Sequence, residues 1–198
     1  MIITADDFGF TNDTNTAIIN LIKDGLITQT SLMVNQPGTK NAIELIHKYN
    51  LTNIGLHFNM TQGKSLSDPT ITFSKTKSYN KEFIKQELEA QIDFFKQHNI
   101  SLHHLDSHHH IHGKNQYIYN LMKKYNVRIR TSNTEGFDCD GNEINFIAKL
   151  VQGYDELATH VATSTKDLYD TVFLENRVKE YEFFYDNAEL IRRILNGN

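Results

Sequence analysis

The sequence predicts an α/β fold: a single domain built on a parallel sheet of right-handed βαβ units. Three observations predict it. Short apolar runs alternate with amphipathic, helix-length segments along most of the 198 residues. That length suits one domain, able to bury roughly two-thirds to three-quarters of the surface its unfolded chain exposes. Polar side chains also collect at the C-terminal ends of the apolar runs, the rim where the loops of parallel α/β folds converge.

Taken in order, Ile2–Ala5 reads as a buried strand stopped by Asp6–Asp7 and Gly9. Asn12 or Thr14 caps a helix carrying Ala17, Ile18, Leu21 and Ile22, ended by Asp24–Gly25. Thr28–Val34 is a second strand, Pro37–Gly38 a turn, and Ala42, Leu45, Ile46 and Tyr49 mark a second helix. Asn53–Phe58 is the third strand, with His57 at its end. Residues 61–79 lack a period and read as a long loop, a lid or substrate wall. A helix follows from Asn80 to about His98, with Phe83, Ile84, Leu88, Ile92 and Phe95 on one face. Ile100–Leu105 is a fourth strand, Tyr117–Tyr125 a helix and Val127–Ile129 a strand. The stretch 132–150 stays ambiguous. Glu156–Ala162 is a last strand, near whose end His160 sits, and the final thirty residues form one or two helices. The strands do not by themselves settle whether the sheet closes into a barrel.

Composition excludes several classes. Twenty basic against 24 acidic residues leave a net charge of −4, no basis for holding a phosphate backbone. The single cysteine, Cys139, rules out an internal disulfide framework. No basic n-region opens the chain and no stretch approaches the ~20 apolar residues needed to span a bilayer, so a soluble cytoplasmic protein with neither nucleic-acid nor membrane partners is expected.

Chemistry announces itself in the histidines. Six of the ten lie between His103 and His112. Asp6–Asp7 alone reads equally as a cap for the following helix, and His57 alone reads more simply as a hydrogen-bonded core residue. The run Asp106–Ser107–His108–His109–His110–Ile111–His112 is more specific. If extended, it turns His108, His110 and His112 to one side; if helical, it pairs His108 with His112. An adventitious metal-binding tract is the bland alternative, against which the run follows a buried strand and precedes a helix. Imidazoles and carboxylates without nearby thiolates suit a catalytic divalent metal better than structural zinc. Two His and one Asp leave a position open for water, whose pKa such a metal lowers to about 7. The spare carboxylate, Asp6, is then available as general base, and hydrolysis follows as the reaction class.

The segments TADDFGF, GLHFNMT and HLDSHHHIH, in this order, resemble the YdjC/ChbG carbohydrate deacetylases, whose pattern reads approximately ADDFG, G-[LM]-H-x-x-x-T and HxDxHxHxH. Gly25–Leu26–Ile27–Thr28–Gln29–Thr30–Ser31 and Val34–Asn35 fit as well, and the likeness runs from residue 2 to about 130. It implies a distorted, here incomplete, TIM-like (β/α) barrel and one divalent ion, Mg²⁺ or Zn²⁺. It further implies removal of N-acetyl groups from small amino-sugar oligosaccharides such as chitobiose. By the same resemblance Asp7, His57 and His108 hold the ion, Asp6 is the base and His160 protonates the leaving amine. Arg177 and Glu180 match the family's trailing R-x-x-E. Phe8, Phe58, His110 and His112 are the candidates for touching sugar.

Departures accompany the likeness. Val161 stands where the family has proline after its late histidine, residues 131–150 look shortened, and an expected final strand is missing, which would expose an edge that a homodimer could cover. Two rival readings follow: a degenerate sugar- or metal-binding relative without turnover, and a different metal hydrolase such as a two-metal phosphoesterase.

Overall fold

The structure, a computed structural model, describes residues 1–131, 134–136, 148–152, 154–166 and 174–197. Cys139 and most of the shortened stretch 131–150 lie outside the described residues.

Among the described residues seven strands form one parallel sheet: β1 Ile2–Phe8, β2 Gln29–Leu32, β3 Ile54–Phe58, β4 His104–Ser107, β5 Arg128–Ile129, β6 Thr134–Gly136 and β7 Glu156–Thr159, in spatial order β5-β4-β3-β2-β1-β7-β6. Helices among the described residues include α1 Asn12–Lys23, α2 Thr39–Tyr49, α3 Lys81–Gln97, α4 Ile111–Lys114, α5 Gln116–Met122, α6 Leu174–Asp186 and α7 Ala188–Leu195. Among the described residues no helix is long and apolar enough to cross a membrane. Strands follow chain order around the sheet from β1 to β5, with β7 and then β6 on the other side of β1. That is the order of a singly wound sheet, with no pairing between β5 and β6 among the described residues.

Several boundaries shift from those the sequence predicts. Thr11 rather than Asn12 or Thr14 caps α1, its side chain accepting from the Thr14 N–H at 3.1 Å. β4 begins at His104, not Ile100, because the C-terminal turn of α3 consumes the intervening residues: Asn99 is left-handed (φ 54°) and Ile100 N donates back to Phe95 O at 2.9 Å. β7 ends at Thr159, leaving His160 just beyond it. A short strand, β6, appears in the stretch without a sequence assignment. The last thirty residues hold two helices, α6 and α7.

Alternation along the strands assigns two faces. Ile3 and Ala5, Leu32, Ile54, Leu56 and Phe58, Leu105 and Leu157 join the main apolar core. The residues between them are polar and meet one another. Thr4 Oγ1 donates to Glu156 at 2.6 Å, Gln29 Nε2 reaches Thr4 Oγ1 at 2.7 Å and His104 Nε2 at 3.3 Å, and Arg128 donates to Glu156 at 2.6 Å. Arg128 and Glu156 sit on strands separated by four others, so the sheet must curl for them to touch. Gly55 gives this inner layer its space: a Cβ there would lie 2.3 Å from the His104 ring. Two residues further along each strand, Asp6, Ser31, His57, Asp106 and, past β5, Arg130 form the next inner layer.

Candidate active site

The upper layer is the floor of the site. In a regular strand Asp6 and Asp7 would point to opposite faces. Here the β1–β2 register breaks between Ala5 and Phe8, and Asp7 takes a left-handed conformation (φ 65°), so both carboxylates reach the same mouth. Aspartate tolerates that region better than most side chains, and such strain collects at functional positions. Gly9 completes the turn at φ 90°, where a Cβ would stand 2.5 Å from Met33 O.

Asp7, fully buried, brings Oδ1 to 3.3 Å from His57 Nε2 and 3.0 Å from His108 Nδ1, while Oδ2 accepts from Arg177 at 2.6 Å. Burial raises the Asp7 pKa, but the charges of His108 and Arg177 outweigh it and hold it well below the usual carboxylate range. Asp7 Oδ1, His57 Nε2 and His108 Nε2 are buried without a hydrogen-bond partner. A four-coordinate ion about 2.1 Å from each ligand atom separates those atoms by about 3.4 Å; Asp7 Oδ1 and His57 Nε2 keep 3.3 Å, and the three residues hold ligand atoms within 4.8 Å of one another. The residues therefore fit a single divalent ion held by one oxygen and two nitrogen donors.

Beneath this trio, His57 Nδ1 lies 2.6 Å from Asp106 Oδ1 and 3.1 Å from Ser31 Oγ. Burial lowers the His57 pKa, yet the charges of Asp106 and Asp6 and the hydrogen bond to Asp106 lift it to about 10. The centre draws positive charge. Asp6 is 1% exposed; Arg130 grips both its oxygens, at 2.6 and 2.7 Å, and Ser31 donates to Oδ1 at 3.1 Å. Burial raises the Asp6 pKa, but Arg130 and His57 bring the net shift down, so it stays ionised. His160 Nε2 sits 3.9 Å from Asp6 Oδ2 with about a third of its side chain open (34%), and burial pushes its pKa down to about 4 against Asp7 and Asp6. Its backbone N–H donates to Glu180 Oε2 at 2.7 Å.

The histidine run is neither extended nor a regular helix. A 3₁₀ turn spans His108–His110, with His109 and His110 left-handed (φ 56° and 53°), and α4 follows. This turns His108 and His112 inward. Asp7, His57, His108, Asp6 and His160 are thus gathered at one mouth. The candidate sugar contacts divide. Phe8 and Phe58 are fully buried in the apolar core and have no face to offer a sugar, because their side chains point to the helix-covered side of the sheet. His112 is mostly buried, its Nδ1 2.5 Å from Ser107 Oγ and its Nε2 facing Arg130 O. Only its edge, with exposed His110, reaches a groove of about 470 Å³ that Gln116, Tyr119, Thr131 and Thr134 also line.

Arg130 and Asp106 are missing from the residues expected of the site. No local pattern marks Arg130: it follows the two-residue, half-buried strand Arg128–Ile129, and its buried partners lie on other strands. Asp106 stood in the HxDxHxHxH motif without an assigned task.

Fold and site together define an α/β protein with a candidate cation centre at the C-terminal mouth of a curled parallel sheet. A sequence model of the YdjC-like protein family matches residues 1–185, and the chain belongs to that family. It is 33% identical over 190 residues to a carbohydrate deacetylase of Vibrio cholerae serotype O1 (strain O395), covering 87% of this chain and 75% of that protein. A carbohydrate deacetylase of Halalkalibacterium halodurans is 28% identical over 221 aligned positions, covering 92% and 93%. Among solved structures, a protein of Enterococcus faecalis V583, provisionally described as a cellobiose-phosphate cleavage protein, superposes with a TM-score of 0.76 at 21% identity, covering 99% of this chain and 93% of that one.

Proposed function

We propose that the chain is a cytoplasmic, metal-dependent deacetylase that removes N-acetyl groups from small, chitobiose-like amino-sugar oligosaccharides, on a distorted TIM-like barrel left open between β5 and β6. The observation that carries this reading is the convergence of Asp7, His57 and His108, with Asp6 beside them, in a family whose relatives include carbohydrate deacetylases.

Asp7, His57 and His108 would hold the ion. When bound, a divalent ion supplies Lewis acidity toward a carbonyl oxygen and a water of lowered pKa. Asp6, kept ionised and aimed by Arg130, takes a proton at Oδ2 as water adds to the acetamide carbon. That oxygen is the one facing His160 Nε2, 3.9 Å away. His160, neutral at rest, receives the proton there and passes it to nitrogen as the C–N bond breaks, leaving acetate and a free amine. Arg177 fixes the far oxygen of Asp7 so that Oδ1 faces the two imidazoles. The groove beside His110 and Tyr119 accommodates the sugar ring next to the one being deacetylated.

Acetate release from N-acetylglucosamine oligomers is the test, run after chelation and again with Mg²⁺ or Zn²⁺ restored. Release that depends on the ion is expected. Undiminished release in chelator rejects the metal, and sugar binding without release at saturating ion favours the degenerate relative.

A further inference from the structure

Arg130 is nearly inaccessible, 2% exposed, and spans three strands with one guanidinium. Nη1 and Nη2 donate to the two oxygens of Asp6, Nη2 lies 2.9 Å from Asp106 Oδ2, and Nε donates to Glu156 Oε1 at 2.9 Å. Asp6 and Asp106, both of which it meets, belong to a second ligand-type cluster. Asp7, His57 and His108 form one set and Asp6, His57 and Asp106 another, each with its ligand atoms within 4.8 Å of one another. His57 belongs to both, Nε2 toward Asp7 and Nδ1 toward Asp106. Two adjoining sets of this kind are the layout of a two-ion hydrolytic centre, whose metals lie about 3.5–4 Å apart.

We propose that Arg130 is a resident cation: it fills the second of two adjoining cation positions, so that the centre takes one metal ion, at Asp7, His57 and His108. This rests on reading those three side chains as the ion's ligands. A guanidinium stays protonated at any pH the protein survives, and its planar fork matches a carboxylate through two parallel bonds. It supplies the charge that buried Asp6 and Asp106 require without coordinating either. Asp6 is consequently hydrogen-bonded and not a metal ligand. An ion in the same place would take Asp6 as a ligand and remove it as a proton acceptor. The arginine thereby commits the fold to one-ion chemistry on an amide and away from the two-ion clamp suited to phosphoryl oxygens.

Ions per chain, counted by calorimetric titration with Mn²⁺ alone and by metal analysis after dialysis, test this. The wild-type protein is expected to bind one ion. Arg130→Met should bind two, show Mn–Mn coupling by electron paramagnetic resonance, and lose at least about 10²-fold in kcat as Asp6 is captured. Millimolar guanidinium should return it to one ion. Arg130→Lys keeps a charge in the cavity and should remain at one. If Arg130→Met folds only with Mn²⁺ present, the ion has replaced the guanidinium and the proposal stands. A folded Met variant that binds one ion, a Lys variant that binds two, or no response to guanidinium overturns it. A wild-type chain that binds no ion refutes the ligand assignment itself, whereas one ion in both wild type and Met variant refutes only the role of Arg130.

Discussion

Nδ1 of His57 lies 2.6 Å from Oδ1 of Asp106, a residue 49 positions later on the neighbouring strand. The carboxylate takes the hydrogen on Nδ1 and so leaves Nε2, turned toward Asp7, as the nitrogen available to an ion. Ligand histidines are commonly fixed in this way, and loss of the partner typically costs 10- to 100-fold in metal affinity. Asp106→Ala should weaken Zn²⁺ binding by about that factor. Competition with a chromophoric chelator measures it, and unchanged affinity would mean that Ser31 alone orients the ring.

Asp6 and Asp7 are sequence neighbours with separate tasks, so their variants should separate too. Asp6→Asn preserves shape and leaves the three ion ligands intact. Its turnover should fall by about 10²–10⁴ as a general-base deletion, with one ion still bound. Asp7→Asn should instead lose the ion. Steady-state acetate release, paired with metal analysis on the same samples, distinguishes the two patterns. Full turnover in an ion-loaded Asp6→Asn protein rules Asp6 out as base.

The sheet and the mouth residues were legible because they follow local rules: apolar runs of strand length, a glycine after α1, carboxylates and imidazoles at strand ends. Arg130 was not legible, since its meaning depends on Asp6, 124 residues away, and on a curl of the sheet that no local pattern encodes. Phe8 and Phe58 misled because flanking a motif says nothing about the side of the strand to which a ring points. The histidine run resisted assignment for a third reason. Two consecutive left-handed residues, His109 and His110, break both the strand and the helix period.

Gly55 is the point at which the inner layer tolerates no addition. A Cβ on it would meet three atoms of the His104 ring at 2.3 to 2.5 Å. That ring is fully buried and held between Gln29 Nε2 and His103 Nδ1, so it has no room to retreat. Gly55→Ala should therefore destabilise the fold by about 1–3 kcal/mol, the usual cost of overpacking. Asp106, two residues along from His104, should shift with it, so ion affinity should fall in parallel. Urea unfolding and ion titration together check this; a variant as stable as wild type would show that β3 and β4 can separate freely.

The segment after β3 is no free lid over its first part, because Glu87 of α3 fastens it. The buried Glu87 carboxylate accepts from Ser65 Oγ at 2.6 Å, Leu66 N at 3.1 Å, and Ser67 N and Oγ at 3.0 and 2.8 Å. It also accepts from Gln91 Nε2 at 2.7 Å, and Gln91 Nε2 in turn donates to Asn59 O. Asn59 Oδ1 receives Thr61, whose Oγ1 sits 2.8 Å from His109 Nδ1, and the His109 ring packs on His108 at 3.9 Å. A chain of contacts thus runs from a helix remote from the mouth to a candidate ion ligand. Glu87→Ala strands the buried donors of Ser65 and Gln91 and should cost about 3 kcal/mol, with residues 61–68 becoming the first site of proteolytic cleavage. Thr61→Val tests the final link alone. It should leave the melting temperature nearly unchanged while weakening ion binding, because the hydroxyl's contacts with His109 and Asn59 are lost while the Thr61 and Gln62 N–H groups still donate to Asn59 Oδ1. Equal losses of stability and affinity in Thr61→Val would mean that the loop merely supports the fold.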